Sequence, residues 1–324
     1  MIFESNLPEI VVLDSETLGR DLDLSPLGKA GRVTVYENTP QEFVTARLKD
    51  AEVCVLNKVK LGRSELEGCR RLKLICVAAT GFDNIDVAFC REKGIAVCNV
   101  AGYSTDSVAQ LTVAMALWLV TKLSSYTAAV NSGRYSAGRS ANILTPVYHE
   151  IAGKTWGVVG YGNIGRKVGA AARALGCRVI AFAKHKKEDA EYADLDRLCA
   201  ESDIISVHLP LNAETRGIIS ADKIALMKKD CVLINVARGA VTDEAAVAAA
   251  LEEGRLGGFG CDVYSREPFG EDHPFYRLLG REDVCLTPHM AWGSAEARAR
   301  CLSEIVLNIE AFGRGEIRNR VDLR

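Results

Sequence analysis

A glycine-rich segment between a predicted strand and a predicted helix constrains the fold of this chain more than any other feature. It reads Gly160-Tyr161-Gly162-Asn163-Ile164-Gly165. Thr155–Val159 before it is an apolar run typical of a buried strand, and apolar residues in Arg166–Leu175 after it recur at helical spacing. The first glycine allows a tight turn, the second lets a pyrophosphate approach the backbone at the helix N-terminus, and the third lets helix and strand pack closely. Glycine-rich turns without a ligand also exist, but this position in a βαβ unit favours dinucleotide binding.

The chain on both sides of this motif alternates between short apolar runs and amphipathic stretches. This alternation predicts repeated βαβ units, which form parallel sheets covered by helices on both faces. We therefore predict an α/β protein with two doubly wound parallel-sheet domains, Rossmann-like or flavodoxin-like. The predicted strands are Ile10–Leu13, Val33–Tyr36, Val53–Leu56, Leu74–Val77 and Ala96–Asn99 in the first half, and Thr155–Val159, Arg178–Phe182, Ile204–Val207, Cys231–Asn235, Gly258–Asp262 and Val284–Leu286 in the second.

The length of 324 residues predicts two domains, because one hydrophobic core rarely supports so long a chain. A long helix is predicted from Ser104 to about Ser132. Its apolar content exceeds what one helix face needs, so part of it is expected to contact another subunit in a homodimer. The last predicted helix, Glu296 to about Phe312, is expected to pack back on the first domain. The predicted boundaries are 1–101 plus 292–324 for a discontinuous substrate domain and 102–291 for a dinucleotide-binding Rossmann domain.

The composition argues against several kinds of partner and site. A formal net charge of −2 gives no electrostatic attraction to nucleic acid or to an anionic membrane, and the longest apolar run, near Val113–Val120, is shorter than a membrane span. The 11 cysteines include no Cys-x-x-Cys pair and no zinc-type spacing, so no metal site is predicted. Because the N-terminal segment is acidic and disulfides are not expected, a cytoplasmic location is predicted.

Three polar segments, each directly after a predicted strand of the second half, carry residues suited to catalysis. Arg238, Glu267 and His289 lie in these segments, which are Asn235–Gly239, Cys261–Pro268 and Thr287–Trp292. Ligands of open α/β sheets bind at the carboxyl ends of the strands. A guanidinium pairs with a carboxylate, an imidazole exchanges a proton near neutral pH, and a carboxylate can hold the second ring nitrogen. Taken alone, Arg238 could be a structural ion-pair partner and Glu267 a solvated loop acid, but together the three residues indicate carbonyl chemistry.

These segments together resemble the D-2-hydroxyacid dehydrogenase family, and most closely its glycerate dehydrogenase/hydroxypyruvate reductase branch. The similarity runs nearly from end to end and includes the dinucleotide loop. Further matching segments are Ala79–Asp86, Gly102–Ala109, Ile151–Thr155 and His208–Leu211. The resemblance implies two domains with a deep cleft between them, NAD(P) as cofactor, and a small 2-oxo or D-2-hydroxy acid as substrate.

The resemblance also implies roles for individual substrate-binding and catalytic residues. Arg238 would bind the substrate carboxylate and polarise the carbonyl. His289 would be the acid in reduction and the base in oxidation, and Glu267 would orient it. Backbone N–H groups of Thr80 and Gly81 would hold the carboxylate from the other domain. Two further positions could face the substrate, Lys58 and Trp292, although Lys58 could equally be an exposed loop charge and Trp292 a hinge-packing aromatic residue.

For the cofactor, the resemblance implies that Asp262 accepts a hydrogen bond from the nicotinamide carboxamide and that Thr112 lies near the nicotinamide. His208 could contact the cofactor or could cap the end of its strand. The other cofactor-binding positions are Gly160, Tyr161, Gly162, Asn163, Ile164, Gly165, Ala183, Lys184, His185, Pro210, Thr215, Val236 and Ala237.

The chain departs from the usual NAD pattern after the second strand of the dinucleotide unit. An acidic residue normally follows the glycine loop by about 20 residues and binds the ribose hydroxyls. Ala183 and Lys184 occupy that region here. We therefore expect NADP to be accepted, with Lys184, His185 or Lys186 near the 2′-phosphate. The alternative is a solvated basic loop, balanced by Glu188 and Asp189. His149, His185 and His273 are interpreted as ordinary surface or loop histidines, apart from the 2′-phosphate contact named above for His185.

The main functional hypothesis is hydride transfer between nicotinamide and C2 of hydroxypyruvate, glyoxylate or D-glycerate, because Asn57–Val59 and Ala291–Trp292 resemble that branch. A bulkier 2-oxo acid is the alternative substrate. A second hypothesis is a dinucleotide-sensing corepressor-like protein of the same fold, which would be expected to carry extended low-complexity tails that this sequence does not show. Glu267 argues against a formate dehydrogenase, which has Gln at that position.

Overall fold

The computed structural model describes Phe3, residues 7–186 and residues 189–323, and the chain divides into two units. Unit 1 comprises Met1–Ser104 and Gly293–Arg324, and unit 2 comprises Thr105–Trp292. Each unit has its own sheet and its own hydrophobic core. The two sheets confirm the predicted α/β class.

Unit 1 is built on a parallel sheet of five strands in the order β2-β1-β3-β4-β5, which is the flavodoxin-like order. Short strands of branched apolar residues alternate with helices, as parallel sheets covered on both faces require. The strands are β1 (Glu9–Val12), β2 (Arg32–Val35), β3 (Val53–Leu56), β4 (Leu74–Val77) and β5 (Ala96–Cys98), and the α-helices are α1 (Val44–Leu48), α2 (Arg63–Leu66) and α3 (Val87–Lys93). Three 3₁₀ turns occupy Ser15–Leu18, Ser25–Lys29 and Gln41–Phe43.

Unit 2 contains a parallel sheet of seven strands. Its α-helices are α4 (Thr105–Val120), α5 (Leu123–Asn131), α6 (Arg134–Ala137), α7 (Asn163–Ala174), α8 (Leu195–Glu201), α9 (Ala221–Leu226) and α10 (Glu244–Glu252). Its strands are β6 (Thr155–Val159), β7 (Arg178–Phe182), β8 (Glu191–Tyr192), β9 (Ile204–Val207), β10 (Val232–Asn235), β11 (Gly258–Cys261) and β12 (Val284–Leu286), with 3₁₀ turns at Gly239–Val241 and Tyr276–Leu278.

The strand order of unit 2 is β12-β11-β10-β9-β6-β7-β8. The connections run outward in both directions from β6 and β9, so these two neighbours form the topological switch point of the sheet. Ligands of doubly wound sheets bind beyond the carboxyl ends of the strands at such a point. The glycine-rich segment follows β6 directly, which places it at this position.

Alternate residues of β6 feed the cores on the two faces of the sheet. Trp156 and Val158 lie in the core that α4 and α7 cover, whereas Val159 lies in the core that α8, α9 and α10 cover. The buried indole N–H of Trp156 donates to Ser206 Oγ at 2.9 Å, so its polar atom is satisfied inside the core. Both faces of the strand are therefore apolar, as the uninterrupted run of the sequence predicted.

The long helix predicted from Ser104 to Ser132 is two helices. α4 and α5 meet at an angle of 68°, and Lys122 between them has a left-handed backbone (φ 52°), which ends α4. Val108, Met115 and Leu119 of α4 are buried in the core of their own unit, whereas Leu123 at the start of α5 is exposed, so the contact of part of this stretch with another subunit stays a prediction. Among the described residues, no single helix is long and apolar enough to span a membrane. The bent pair α4 and α5 meets these criteria only when both helices are counted together, and helices buried in a protein core can meet them as well.

The last helix, α11 (Ala295–Gly313), packs on the sheet of unit 1. Its buried Asn308 donates to the carbonyl of Asn99 at 3.2 Å and accepts from Arg318 at 2.8 Å. Near its start, Arg298 forms a two-pronged ion pair with Asp21 at 2.6 and 2.7 Å. These contacts tie the C-terminal segment to the strands formed by the first hundred residues.

Candidate active site

Three neighbouring strands of unit 2 end at the same edge of the sheet. Asn235 of β10 is paired with Cys261 of β11, and Cys261 is paired with Leu286 of β12. Because the strands are parallel and in register, the three segments that follow them begin next to one another. Arg238, Glu267 and His289 follow these three paired residues by only a few positions. The topology therefore brings the three segments predicted from the sequence to one edge.

Glu267 and His289 form a direct pair. Oε2 of Glu267 lies 2.6 Å from Nδ1 of His289, and Oε1 of Glu267 accepts from the backbone N–H of Tyr264 at 2.9 Å. The two side chains remain partly accessible, at 32% for the carboxylate and 21% for the imidazole. Since the carboxylate occupies Nδ1, the ring nitrogen that remains for a ligand is Nε2. A partly exposed imidazole oriented by a carboxylate can act as a general acid and base.

Asp262 holds the segment that carries His289. Its buried carboxylate accepts from Thr287 Oγ1 at 2.6 Å and from the backbone N–H groups of Met290 and Ala291 at 2.8 Å each. His289 itself has a left-handed backbone (φ 53°), a conformation that persists in a non-glycine residue only when its surroundings enforce it. Burial raises the pKa of Asp262 above its usual value, although these hydrogen bonds act in the opposite direction. The resemblance implied a cofactor contact for Asp262, which stays a prediction, and did not imply these bonds to the His289 segment.

Arg238 lies in a turn that packs against the turn before Glu267. Its Nη1 donates to the carbonyl of Ala237 at 2.8 Å, and its own carbonyl accepts from Asn235 Nδ2 at 3.0 Å. The following residue must be glycine, because a Cβ at Gly239 would lie 2.0 Å from the backbone carbon of Tyr264. This close approach joins the segment after β10 to the segment after β11. Trp292 is attached to the same region, since its indole N–H donates to the carbonyl of His289 at 2.9 Å.

The glycine-rich loop has the packing that a dinucleotide requires. Gly160 has a φ of 97°, and a Cβ there would lie 2.8 Å from the backbone of His208. A Cβ at Gly165 would lie 2.1 Å from the carbonyl oxygen of Gly160, so α7 packs directly on the loop. In contrast, the position of a Cβ at Gly162 has no atom within 4 Å. The backbone is thus tightly held at both ends and open in the middle, where a pyrophosphate would lie.

The first turn of α7 completes this fit. Its helical ladder begins with the N–H of Arg166 donating to the carbonyl of Gly162 at 2.9 Å, so the amides of Asn163 and Ile164 have no intrahelical carbonyl to reach. Helix N-termini carry partial positive charge and bind phosphate. Tyr161 points inward instead: it is buried, and its hydroxyl accepts from Arg173 at 3.1 Å. The described residues therefore fit a dinucleotide at this turn.

The other predicted cofactor residues are held by bonds of their own. Thr215 is buried and donates from Oγ1 to the carbonyl of Pro210 at 2.6 Å, closing the loop after β9. Thr112 is fully buried in α4 and donates to the carbonyl of Val108 at 2.8 Å. Val236 and Ala237 are buried directly after β10, beside Arg238.

His208 stands where β9 leaves the sheet, with its backbone against Gly160. Its Nε2 lies 3.0 Å from Ser206 Oγ, whereas its buried Nδ1 has no hydrogen-bond partner among the described residues. Burial lowers the pKa of His208 to about 3, so the ring is neutral at physiological pH. The contact with Ser206 corresponds to the strand-end alternative that the sequence left open, whereas contact of His208 with the cofactor stays a prediction.

The basic segment after β7 is exposed. Lys184, His185 and Lys186 lie on the surface, and Ala183 before them is partly buried. Lys184 Nζ lies 3.3 Å from Glu214 Oε2, and both side chains are largely exposed. Asp189, which the sequence offered as a neutralising partner, pairs with Arg166 at 2.8 Å, whereas Lys187 and Glu188 lie outside the described residues.

Two side chains hold the backbone around Lys58 in unit 1. The buried carboxylate of Asp14 accepts from the N–H groups of Asn57, Lys58 and Val59 at 2.9, 2.6 and 3.0 Å. From the other side, Asn84 Nδ2 donates to the carbonyl of Val59 at 2.8 Å. The backbone of this irregular segment is therefore fixed, while Lys58 itself is an exposed residue.

The Thr80–Gly81 peptide of unit 1 is held in a similar way. Thr80 Oγ1 donates to the carbonyl of Val100 at 2.9 Å, and the carbonyl of Thr80 accepts from Asn99 Nδ2 at 2.7 Å. Thr80 is exposed and Gly81 partly exposed. Both residues follow β4, at the carboxyl end where unit 1 can bind a ligand.

His273 corrects one expectation, because it is a buried residue and not a surface one. Its side chain lies among Tyr264, Phe269 and Phe275, with ring centroids 6.1, 4.9 and 5.1 Å away. His149 is exposed, as expected. In the part of the chain that the structure describes, no cluster of three or more His, Cys, Asp or Glu side chains could hold a metal ion.

This chain is similar to known proteins in both of its units. The pattern of the family described as "D-isomer specific 2-hydroxyacid dehydrogenase, NAD binding domain" matches residues 113–291. Over 323 residues the chain is 35% identical to hydroxypyruvate reductase of Blautia hydrogenotrophica, covering 97% of this chain and 99% of that protein.

Two solved structures share the whole architecture. One is D-lactate dehydrogenase from Aquifex aeolicus complexed with NAD and lactic acid, with 30% identity and a TM-score of 0.85 over 97% of this chain and 99% of that one. The other is an acyclic imino acid reductase in complex with NADPH and D-Arg, with 29% identity and a TM-score of 0.86 over the same shares. Relatives of this fold thus include proteins bound to either nicotinamide dinucleotide.

The lowered pKa of His208, a partly buried residue whose Nδ1 is buried, predicts a loss of stability in acid. In the unfolded chain this imidazole takes up a proton near pH 6.5, but in the folded chain it does so only near pH 3. Between these values the unfolded state binds more protons, so the free energy of unfolding falls as the pH is lowered from about 6.5, by up to about 1.4 kcal/mol per pH unit from this residue. Urea unfolding at pH 8 to 4 should show a shallower pH dependence for His208→Gln than for the wild type. The exposed His149→Gln is the control, and equal slopes for wild type and His208→Gln would contradict the assignment.

Proposed function

The chain belongs to the D-isomer specific 2-hydroxyacid dehydrogenase family, and we propose that it transfers hydride between a nicotinamide dinucleotide and C2 of hydroxypyruvate, glyoxylate or D-glycerate. Members of the family are oxidoreductases that act on the CH–OH group of 2-hydroxy acids. The observation that carries the proposal is the 2.6 Å Glu267–His289 pair, at the same sheet edge as Arg238. The choice among 2-oxo acids is supported by similarity to a hydroxypyruvate reductase along the whole chain.

Proton transfer is the part of the reaction that the chain's own residues perform. When bound, the cofactor supplies or accepts the hydride. His289 donates a proton from Nε2 to the substrate oxygen in reduction and accepts it in oxidation, while Glu267 holds Nδ1 and stabilises the imidazolium. Arg238 binds the substrate carboxylate through its planar guanidinium and polarises the carbonyl. Asp262 keeps the His289 segment in place and would accept a hydrogen bond from the carboxamide of the bound nicotinamide.

Binding of the dinucleotide is assigned to unit 2 and binding of the substrate's remaining groups to unit 1. The loop Gly160–Gly165 would hold the pyrophosphate, and the residues of unit 2 that surround the rest of the cofactor are Thr112, Ala183, Lys184, His185, His208, Pro210, Thr215, Val236, Ala237 and Asp262. Thr80 and Gly81 would contribute backbone N–H groups to the carboxylate, and Lys58 a positive charge. Trp292 would line the substrate side of unit 2. The fixed backbones of the Lys58 and Thr80 segments support these assignments, because preorganised groups bind with a smaller entropic cost.

We assign NADP as an accepted cofactor. No acidic residue stands at Ala183 or Lys184, where an NAD-specific site would bind the ribose hydroxyls. The exposed ammonium of Lys184 and the imidazole of His185 are instead suited to a 2′-phosphate. The contact between Lys184 and Glu214 is highly exposed, so it contributes little and can be exchanged for a phosphate contact.

We also assign a homodimer, in which the segment that follows α5 forms part of the interface. Leu144 and Val147 are 72% and 68% exposed although the segment is attached to α5, where Tyr126 donates to the carbonyl of Pro146 at 2.5 Å. Exposed apolar side chains on an ordered, irregular segment are typical of a surface covered by a partner. A second copy of the chain is the occupant that the sequence already predicted.

Turnover of hydroxypyruvate with NADH or NADPH tests the proposed reaction. His289→Gln should lower kcat roughly 10²- to 10⁴-fold, since general acid–base catalysis is lost, while the Kd of the cofactor stays the same. His149→Gln, an exposed histidine, should have wild-type kinetics. If the wild type reduces no small 2-oxo acid with either cofactor, the proposed function is wrong; if His289→Gln retains normal turnover, its role as the acid is wrong.

Lys184→Ala should weaken NADPH binding selectively. A charge-assisted contact to a phosphate is worth roughly tenfold in Kd, whereas NADH has no phosphate at this position. Fluorescence titration of both reduced cofactors measures the two affinities at one ionic strength. Lys167→Ala is the matched control, because Lys167 is an exposed lysine of α7 that pairs with Asp106 at 2.9 Å. A loss of equal size for NADH and NADPH would argue against the 2′-phosphate contact.

Val147→Asp should dissociate the proposed dimer, because it buries a charge in an apolar interface. Sedimentation velocity on the wild type should give twice the 35.1 kDa of one chain, and the variant should sediment as a monomer or with a much weaker dimer. Ile317→Asp, at an apolar residue of unit 1 that is 76% exposed, is the control and should leave the dimer intact. A monomeric wild type at micromolar concentration would contradict the assignment.

A further inference from the structure

Glu244 is a buried carboxylate outside the site described above, and its contacts lead to Glu267. It is the first residue of α10, and its side chain is only 9% exposed. Oε1 accepts from the backbone N–H of Ser265 at 2.8 Å, and Oε2 accepts from Ser265 Oγ at 2.5 Å. We propose that Glu244 is a positioning residue that sets the Glu267–His289 pair for proton transfer. This inference rests on the proposed function, since it concerns the same pair.

The path from Glu244 to the pair is short. Ser265 lies two residues before Glu267, and the preceding Tyr264 donates its backbone N–H to Glu267 Oε1 at 2.9 Å. Tyr264 also donates from its hydroxyl to the carbonyl of Thr287 at 2.8 Å, on the strand exit that leads to His289. Glu244 holds Ser265, and the residue joined to Ser265, Tyr264, is bonded to both segments of the pair. A shift of this turn would move Glu267 relative to the imidazole.

His273 supports Glu244 from the other side. Its Nδ1 accepts from the backbone N–H of Phe275 at 3.1 Å, so the neutral ring carries its proton on Nε2. That nitrogen lies 3.0 Å from Glu244 Oε2, close enough for electrostatic attraction although not aligned for a hydrogen bond. Tyr264, Phe269 and Phe275 surround the ring. A carboxylate at the edge of such an aromatic cluster is stable only when its oxygens are bonded, which favours one geometry of the Ser265 turn.

Proton transfer by the Glu267–His289 pair depends on the geometry of the turn at Ser265–Glu267. Ser265, Arg266 and Glu267 are exposed residues that belong to no helix or strand. Such a segment would sample several backbone positions if only its ends were held. Acid–base transfer requires the donor within hydrogen-bond reach of the reacting oxygen, and small displacements of catalytic groups lower turnover strongly. Loss of Glu244 should thus lower kcat, with much less effect on KM.

Glu244→Gln is the first test, because it keeps the size of the side chain. The amide oxygen can still accept from the backbone N–H of Ser265. The amide NH₂ group, however, would face the Nε2–H of His273, so that two hydrogen-bond donors lie opposite each other. We expect kcat to fall roughly tenfold, with KM for the 2-oxo acid and Kd for the cofactor within about twofold of wild type. Asp243→Ala is the matched control: it removes the N-cap of α10, where Asp243 accepts from Ala246, without a contact to Ser265, and should leave kcat unchanged.

A spectroscopic readout makes the test independent of turnover. The Nδ1–H proton of His289, bonded to Glu267 at 2.6 Å, should give a downfield imidazole resonance in ¹⁵N-histidine-labelled protein, assigned by its absence in His289→Gln. This resonance should shift or broaden in Glu244→Gln and stay in place in Asp243→Ala. If Glu244→Gln does not fold, Ser265→Ala removes the 2.5 Å bond alone and should show the same change.

An unchanged resonance together with unchanged kcat in the Glu244 or Ser265 variant would overturn the proposal. An equal loss of kcat in Asp243→Ala would overturn it too, since disruption of the helix end would then explain the effect. Failure of the wild type to reduce any 2-oxo acid would instead refute the proposed function, while the resonance would still report whether Glu244 positions the pair.

Discussion

The parallel, in-register pairing of β10, β11 and β12 is the constraint on which the candidate site depends. Because Asn235, Cys261 and Leu286 stand side by side, three stretches of chain leave the sheet at one edge. Each stretch contributes one side chain of different chemistry. No two of these side chains are near each other in the sequence, so only the sheet can bring the guanidinium, the carboxylate and the imidazole to the same edge. The same sheet places the glycine loop at the switch point between β6 and β9.

Three buried carboxylates convert irregular segments into fixed ones. Asp14 binds three consecutive N–H groups around Lys58, Asp262 binds the backbone on the far side of His289, and Glu244 binds the turn before Glu267. A buried carboxylate is costly unless its oxygens accept hydrogen bonds, and backbone N–H groups in irregular segments need acceptors. The N–H groups supply the donors that the buried carboxylate needs, and the carboxylate supplies the acceptor that the N–H groups need. The result is that loops with no helix or strand of their own hold their candidate functional residues in one position.

The sequence predicted most of the fold because parallel strands buried on both faces are unbroken apolar runs. Val53–Leu56, Leu74–Val77 and Ile204–Val207 are found where they were expected. The break between α4 and α5 was missed, because Lys122 adopts a left-handed backbone without any glycine or proline to signal it. The burial of His273 and the contacts of Glu244 were missed for a different reason: both depend on Phe269, Phe275 and Ser265 being folded around them, which no local pattern of residues reveals.

The proposed roles divide between the units in a way that explains how one fold suits several substrates. The acid–base pair, its carboxylate supports and the dinucleotide loop all lie in unit 2 and are tied to one sheet. Their mutual geometry is therefore set by contacts within unit 2. The Lys58 segment belongs to unit 1, where its backbone is fixed by Asp14 and Asn84 and its side chain is exposed. Since these backbone bonds do not involve the side chain at position 58, a different residue there would leave them in place, and the proposed substrate contact could vary separately from the loop.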